Sequence, residues 1–278
     1  MSTEVVPAGQ PVVPPAEPAP PRKKRRGGLI ALIVIGVLVL LAVIGFFVAE
    51  SFAKDYARDY VRGRIVEVLQ LPADAEVAVD VGGGSIILQA LAGRIQTVEV
   101  DVPEVSFGTL VGSARIHAEG VPLDETAPVD ELGITFSVDE EDVAALAGNL
   151  SGLELSSVEL EEPAIVVASV FSLFGIEIPV GMSIVPSAAE GDIVFTPSAI
   201  TLGDDEYTVE EVEENGFFAA LAGPLLQQQS ACIADQLPAA LVLTDAAVAG
   251  ERLRLVISGD GAALGGPGLS TLGTCPAG

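Results

Sequence analysis

Few residues in this chain are equipped for chemistry. His117 is its one histidine, and Cys232 and Cys275 are its two cysteines. A zinc set needs about four closely spaced Cys or His ligands, so no metal is expected. His117 falls in an alternating stretch beside Arg115, where a surface role is the simpler reading. No Gly-x-Ser-x-Gly elbow occurs. Gly82-Gly83-Gly84 lies between a strand pattern and a helix pattern, as a phosphate loop would. It lacks the Lys-Ser/Thr of a P-loop and the G-x-G-x-x-G spacing, so it reads as a tight turn. The acidic runs Asp139–Asp142 and Asp204–Glu206 do not resemble an EF-hand loop, and the first suits a helix start. With no nucleophile–base set, neither catalysis nor a cofactor is expected, and binding is the stronger class. Asn149-Leu150-Ser151 is formally a glycosylation sequon. The two cysteines form a disulfide if they face an oxidising compartment, and otherwise stay as two unpaired buried thiols.

Which compartment they face depends on the stretch Leu29–Val48, LIALIVIGVLVLLAVIGFFV, whose 20 positions carry no charge. A helix of that length reaches about 30 Å, the thickness of a bilayer's hydrocarbon core. Arg22-Lys23-Lys24-Arg25-Arg26 abuts it, which by the positive-inside rule keeps the N-terminus cytoplasmic. Lys54, Arg58, Arg62 and Arg64 follow it, so the bias rests on the density and closeness of the first cluster. The rival reading is a cleaved signal peptide. The apolar run is long for one, and Ala49-Glu50-Ser51 is only a passable cleavage site. The expected organisation is therefore a Pro-rich, unfolded cytoplasmic tail (1–28), a single transmembrane helix in the plasma membrane (29–49) and an extracytoplasmic domain (50–278).

That domain is strongly acidic. Residues 50–278 hold eight basic and 37 acidic side chains, against five and two before them. Such a surface does not neutralise phosphates, so no nucleic-acid partner is expected. Aromatics are few and Trp is absent. Burial must come from Val, Ile, Leu and Ala.

Past the span the period becomes helical. Phe52, Tyr56, Tyr60, Val61, Ile65, Val68 and Leu69 recur at steps of three and four up to Pro72, which predicts an amphipathic helix over Glu50–Leu69. Beyond Pro72 most segments alternate. Val77, Val79 and Val81; Val98, Val100 and Val102; Ala114, Ile116 and Ala118; Ile176, Ile178, Val180, Met182 and Ile184; and Leu253, Leu255 and Ile257 each predict a strand with one apolar face. Short helices are expected over Ser85–Leu91, over Glu141–Leu150 behind a capping box at Ser137-Val138-Asp139-Glu140, and within Gly216–Leu237. This order of elements is α+β.

Several stretches carry a family likeness. Ser85–Ile95, in which Gln89, Leu91 and Gly93 form a Gln-x-Leu-x-Gly turn, is followed by the valine strand Val98–Val102 and a strand ending Gly120-Val121-Pro122-Leu123. Further on come Ile134–Ser137 before a short acidic helix, and Cys232–Leu241 before the Val248–Ile257 hairpin. Together, over roughly residues 55–260, they resemble the LmeA-like family of actinobacterial phospholipid-binding proteins, although Ser85-Ile86-Ile87 replaces the family's usual entry. The resemblance implies a tubular lipid-binding-like fold, a curved antiparallel sheet wrapped around a long amphipathic helix. It also implies a non-catalytic role in cell-envelope biogenesis or maintenance, with a membrane phospholipid or other acyl lipid as ligand. On that reading Tyr56, Tyr60, Val98, Val100, Ile176, Ile178, Val180, Met182 and Ile184 form the apolar wall. Arg58, Arg62 and Arg64 lie where an anionic headgroup would be, with Lys54 beside them. The alternative is a structural or scaffolding module that meets a protein or a wall polymer.

Overall fold

The computed structural model describes residues 26–69, 71–107, 110–151, 155–173, 176–203, 205–214 and 226–276. It divides into two units, Met1–Val48 and Ala49–Gly278. The helix α1 (Arg26–Val68) contributes to both. In the first unit its large apolar side chains face outward, with Ile35, Leu38 and Phe47 exposed at 61, 60 and 67%. By length and composition this helix can cross a membrane.

In the second unit α1 turns the stripe Val61, Ile65 and Val66 onto the domain core, joined by Leu69 just past its end. The helix closes with Leu69 N–H donating to the Ile65 carbonyl and Leu71 N–H to the Val66 carbonyl, both at 2.9 Å. Pro72 cannot continue that ladder.

Among the described residues, strand pairing is antiparallel and is divided between two six-stranded sheets. The first sheet comprises β1 (Ala78–Gly82), β2 (Arg94–Phe107), β3 (Leu110–Pro122), β4 (Glu131–Asp139), β11 (Val242–Ala249) and β12 (Arg252–Ser258), in the order β1-β2-β3-β4-β12-β11. The second comprises β5 (Leu155–Glu161), β6 (Ala164–Leu173), β7 (Ile176–Ala189), β8 (Asp192–Leu202), β9 (Asp205–Thr208) and β10 (Gln229–Ala231), in the order β10-β8-β7-β6-β5 with β9 also on β8. Short helices lie between strands: α2 (Ile86–Ala92) after β1, α3 (Glu140–Ser151) between β4 and β5, and α4 (Val209–Glu214) after β9.

The period of two dictates the core. Val98, Val100 and Val102 are 9, 1 and 1% exposed, and Phe136 and Val138 are 4 and 0%. Leu253, Leu255 and Ile257 join them, as do Val158, Leu160 and Ile165 from the second sheet. Each such side chain contributes about 1.5–3 kcal/mol by leaving water. The strands β3 and β4 close tightly at Gly112. A Cβ there would run into the Ser137 carbonyl oxygen and the Phe136 ring. Gly112→Ala is expected to destabilise the domain by about 1–3 kcal/mol, read as a lower denaturation midpoint at unchanged m-value.

Two local expectations are corrected. Ser137 does not open a capping box, because it lies inside β4, opposite Ser113 and Arg254. Glu140 instead accepts a hydrogen bond from Leu160 N–H at 2.9 Å, tying α3 to β5. The helical run expected in Gly216–Leu237 lies partly outside the described residues. From 226 onward it is not helical but contains β10 and a turn. There Gln229–Ala231 pair with β8 as a strand, and the next residue, Cys232, is bonded to Cys275. Around that bond Gly273 N–H donates to the Leu237 carbonyl and Ala239 N–H to the Thr271 carbonyl, both at 2.9 Å. The Gly-rich C-terminus is thereby fastened to the domain rather than left loose.

Candidate functional site

The register of the second sheet builds a continuous apolar face. Val180, Met182 and Ile184 of β7 stand opposite Ser169, Val167 and Ile165 of β6. On the other side they meet Leu202, Ile200 and Pro197 of β8, with a register shift between Ser183 and Ile184. The next strand, β5, adds Val158 and Leu160 opposite Val167 and Ile165. Directly opposed residues of antiparallel strands share one face, so these side chains are neighbours. The face has two parts. Val158, Leu160, Ile165 and Ile200 are 7, 4, 7 and 7% exposed. Val167, Val180, Met182 and Ile184 are only half-buried. A half-buried aliphatic surface centred on a flexible methionine can repack around an alkyl chain.

The other expected wall residues go elsewhere. Val98 and Val100 are buried in the domain core, the cluster against which Val61 and Ile65 of α1 also pack. Tyr56 and Tyr60 are 74 and 53% exposed, and the Tyr60 hydroxyl lies 3.3 Å from a Glu125 carboxylate oxygen. Ile176 and Ile178 belong to β7 and pair with Leu173 and Phe171, but their side chains lie outside the described residues.

The basic residues that follow the span have partners within the domain. Arg58 reaches Asp80 at 3.4 Å and Asp55 at 3.6 Å, and Arg64 reaches Glu67 at 3.2 Å. Arg62 donates to the Ala75 carbonyl at 2.9 Å. It also lines a cleft of about 530 Å³ on the outer face of the first sheet, together with Glu76, Asp101, Arg115, Thr135 and Arg252. In and beside that cleft Arg115 pairs with Asp101 at 2.7 Å and Arg252 with Asp139 at 2.8 Å. These are exposed cross-strand pairs, worth little to stability. His117 stands on the same face, 3.3 Å from Glu119 and 3.6 Å from Glu99.

Two polar fasteners escaped the sequence reading as structural devices. Gln89, 5% exposed, donates to the Gly82 carbonyl at 3.0 Å and accepts from Gln96 N–H at 2.7 Å. It thus closes the β1–α2–β2 turn, whose Gly83 and Gly84 take φ of +88° and +102°. Gly93 ends α2 in the left-handed region at φ +76°, a conformation glycine adopts without strain. The Gln-x-Leu-x-Gly pattern therefore has a physical basis. Glu50, 8% exposed, accepts from the Ser85 hydroxyl at 2.7 Å and from the Ile86 and Ile87 amides at 2.6 and 3.4 Å. Its signal in the sequence was only that it is the first charge after the apolar run.

The Ser85 hydrogen bond is the main reason the Glu50 carboxyl sits below its ordinary value of 4.5; the two amides and Lys54 act in the same direction and burial opposes them. A carboxyl whose pKa is lower in the folded state stabilises it above the unfolded value, and that contribution is lost as pH falls through the folded value. The clamp should therefore persist from neutral pH down to about pH 5 and loosen only in stronger acid. At neutral pH, Glu50→Gln is expected to speed hydrogen exchange at the Ile86 amide roughly tenfold, measured by NMR or mass spectrometry.

Comparison with known proteins returns one family. Its model, described as LmeA-like phospholipid-binding, matches residues 48–258. No curated protein and no solved structure matches the chain. The matched span runs from two residues before Glu50 to the end of β12, and so takes in the Gln89 turn, both sheets and the apolar face of β5–β8. This chain belongs to the LmeA-like phospholipid-binding family.

Proposed function

We propose that this protein is a single-pass plasma-membrane protein whose extracytoplasmic domain holds a phospholipid or related acyl lipid and serves the building or maintenance of the cell envelope. Residues 1–28 form its cytoplasmic tail, 29–49 the span and 50–278 the lipid-binding domain. The observation that carries the lipid reading is the family match over residues 48–258. The half-buried face of β6–β8 supplies the place, with acyl chains lying along Val180, Met182 and Ile184 and continuing toward Ile176 and Ile178. Val98 and Val100 remain in the domain core, and Tyr56 and Tyr60 are exposed on α1. Arg58, Arg62 and Arg64 are the headgroup contacts, reached by exchanging their present partners. The Cys232–Cys275 bond supports an oxidising location, and the five basic residues before the span support a cytoplasmic N-terminus. The role is binding, without catalysis.

The test uses the full chain in phospholipid nanodiscs carrying a diazirine near the acyl-chain end. After irradiation, crosslinks mapping to residues 164–202 support the site. Crosslinks confined to residues 29–48 sink it.

A second reading, a non-catalytic module that binds a protein or wall polymer, draws on the cleft of the first sheet. Its lining of Arg62, Arg115, Arg252, Ser113, Thr135 and Ser137 suits a hydroxyl-rich or anionic polymer better than a hydrocarbon. Pull-down of the full chain by purified envelope polysaccharide, together with a blank diazirine map over residues 164–202, would favour it.

A further inference from the structure

The helix α2 is held down by polar contacts yet leaves its leucines in solvent. Ile86 and Gln89, both 5% exposed, face the domain, whereas Leu88 and Leu91 are 59 and 81% exposed. The latter two are three apart, on one face of the helix. Glu50 fixes the start of α2 and Gln89 fixes its middle, so this apolar surface is presented rigidly. Beyond its end, Leu123, 54% exposed, donates its backbone N–H to the Gly93 carbonyl at 3.0 Å. The surrounding sequence is equally unusual for this domain. Val81–Gly93 contains no charged residue, although residues 50–278 carry 45.

We infer that α2 docks on the outer surface of the bilayer, with Leu88 and Leu91 inserted at the level of the headgroups and first methylenes. The inference rests on the anchor reading above. The occupant follows from chain continuity. Glu50 is two residues past the apolar run, and its carboxylate touches the first turn of α2, so the chain holds α2 within a short tether of the end of that run. Phe52, two residues further along the chain, is 72% exposed, and aromatic side chains favour the membrane interface. A protein partner fits this patch poorly. Three leucines fall well short of the roughly 1,000 Å² that a stable protein interface buries. A tethered bilayer needs no such area, because the anchor already supplies a high effective concentration. An uncharged patch also lets an acidic domain approach anionic lipid without opposing like charges across the contact.

The chain contains no Trp, so a single introduced indole reports without background. Leu91→Trp and Leu88→Trp are made in the full chain and reconstituted in phosphatidylcholine nanodiscs containing lipid brominated near the carbonyl end or near the middle of the acyl chain. Leu40→Trp reports on the span. Val242→Trp, at an exposed position on β11, reports from the far edge of the first sheet, roughly 15–20 Å across the strands from β2. The expected result is blue-shifted emission from the two α2 probes, quenched about twofold by shallow bromine and less by deep bromine, with Val242→Trp unquenched and Leu40→Trp quenched most by deep bromine. If Leu40→Trp is quenched and neither α2 probe exceeds Val242→Trp, the docking inference fails while the anchor stands. A blue shift at α2 without quenching means that protein covers it, which also overturns the inference. An unquenched Leu40→Trp removes the anchor and the docking together.

Discussion

Met182→Asp is expected to cut diazirine-phospholipid crosslinking to β6–β8 by about tenfold or more while leaving the far-UV circular dichroism unchanged. The argument turns on where Met182 sits. It is half-buried, opposite Val167 on β6 and Ile200 on β8. A carboxylate there can still reach water in the lipid-free protein, so folding tolerates it. With an acyl chain lying over the same spot, the charge is cut off from water and has no partner. Burying an unpaired charge costs several kcal/mol even after relaxation, and about 1.4 kcal/mol is already a factor of ten in binding. Met182→Leu keeps the surface apolar and should bind as the parent does. Ile200→Asp is a useful contrast. Ile200 is 7% exposed, so the same charge there should lower the thermal midpoint before any lipid is added. If Met182→Asp captures lipid as well as Met182→Leu does, the face of β7 is not the site.

Replacing Cys232 and Cys275 together by serine is expected to lower the thermal midpoint of the folded unit Ala49–Gly278 by about 8–16 °C. The two residues are 43 apart in sequence, and closing a loop of that length restricts the unfolded chain by about 4 kcal/mol in the chain-entropy model. For a domain of this size each kcal/mol moves the midpoint by about 2–4 °C. Differential scanning calorimetry of the wild-type chain, with and without a reductant, should reproduce the shift. A change below about 3 °C would mean that the hydrogen bonds of Ala239 and Gly273 hold the C-terminus without the covalent bond.

Alternation made most of the sheet legible. Val98–Val102, Ala114–Ala118 and Leu253–Ile257 each present the expected face to the core, because a strand's side chains have only two directions to take. The same pattern was silent on what covers that face. Val100 and Met182 occupy indistinguishable positions in their runs, yet one is sealed by protein and the other is half open. The difference lies in what packs over each face, which alternation within one strand does not encode. The errors have the same origin. Ser137 carries good capping chemistry, but pairing with β3 and β12 claimed it for a strand, and Glu140 found a donor 20 residues on, in β5. The Glu50 clamp joins residues 35 apart or more, and no local spacing announces it. The division of the strands between two sheets is likewise a matter of long-range register.

On the proposed anchor reading, the fastened C-terminus also bears on life in a crowded membrane. Tethered domains diffuse in two dimensions and meet one another often, and any unpaired strand edge then offers a template for joining chains. On the outer side of β8 that template is occupied in two places, by β10 at residues 193–195 and by β9 at residues 199–202. The strand β10 is only three residues long and fully exposed; on its own it would peel away easily. The bond at Cys232, the very next residue, prevents that. A reduced protein would therefore be not only less stable but stickier: losing this cap would turn β8 into a seed for polymerisation.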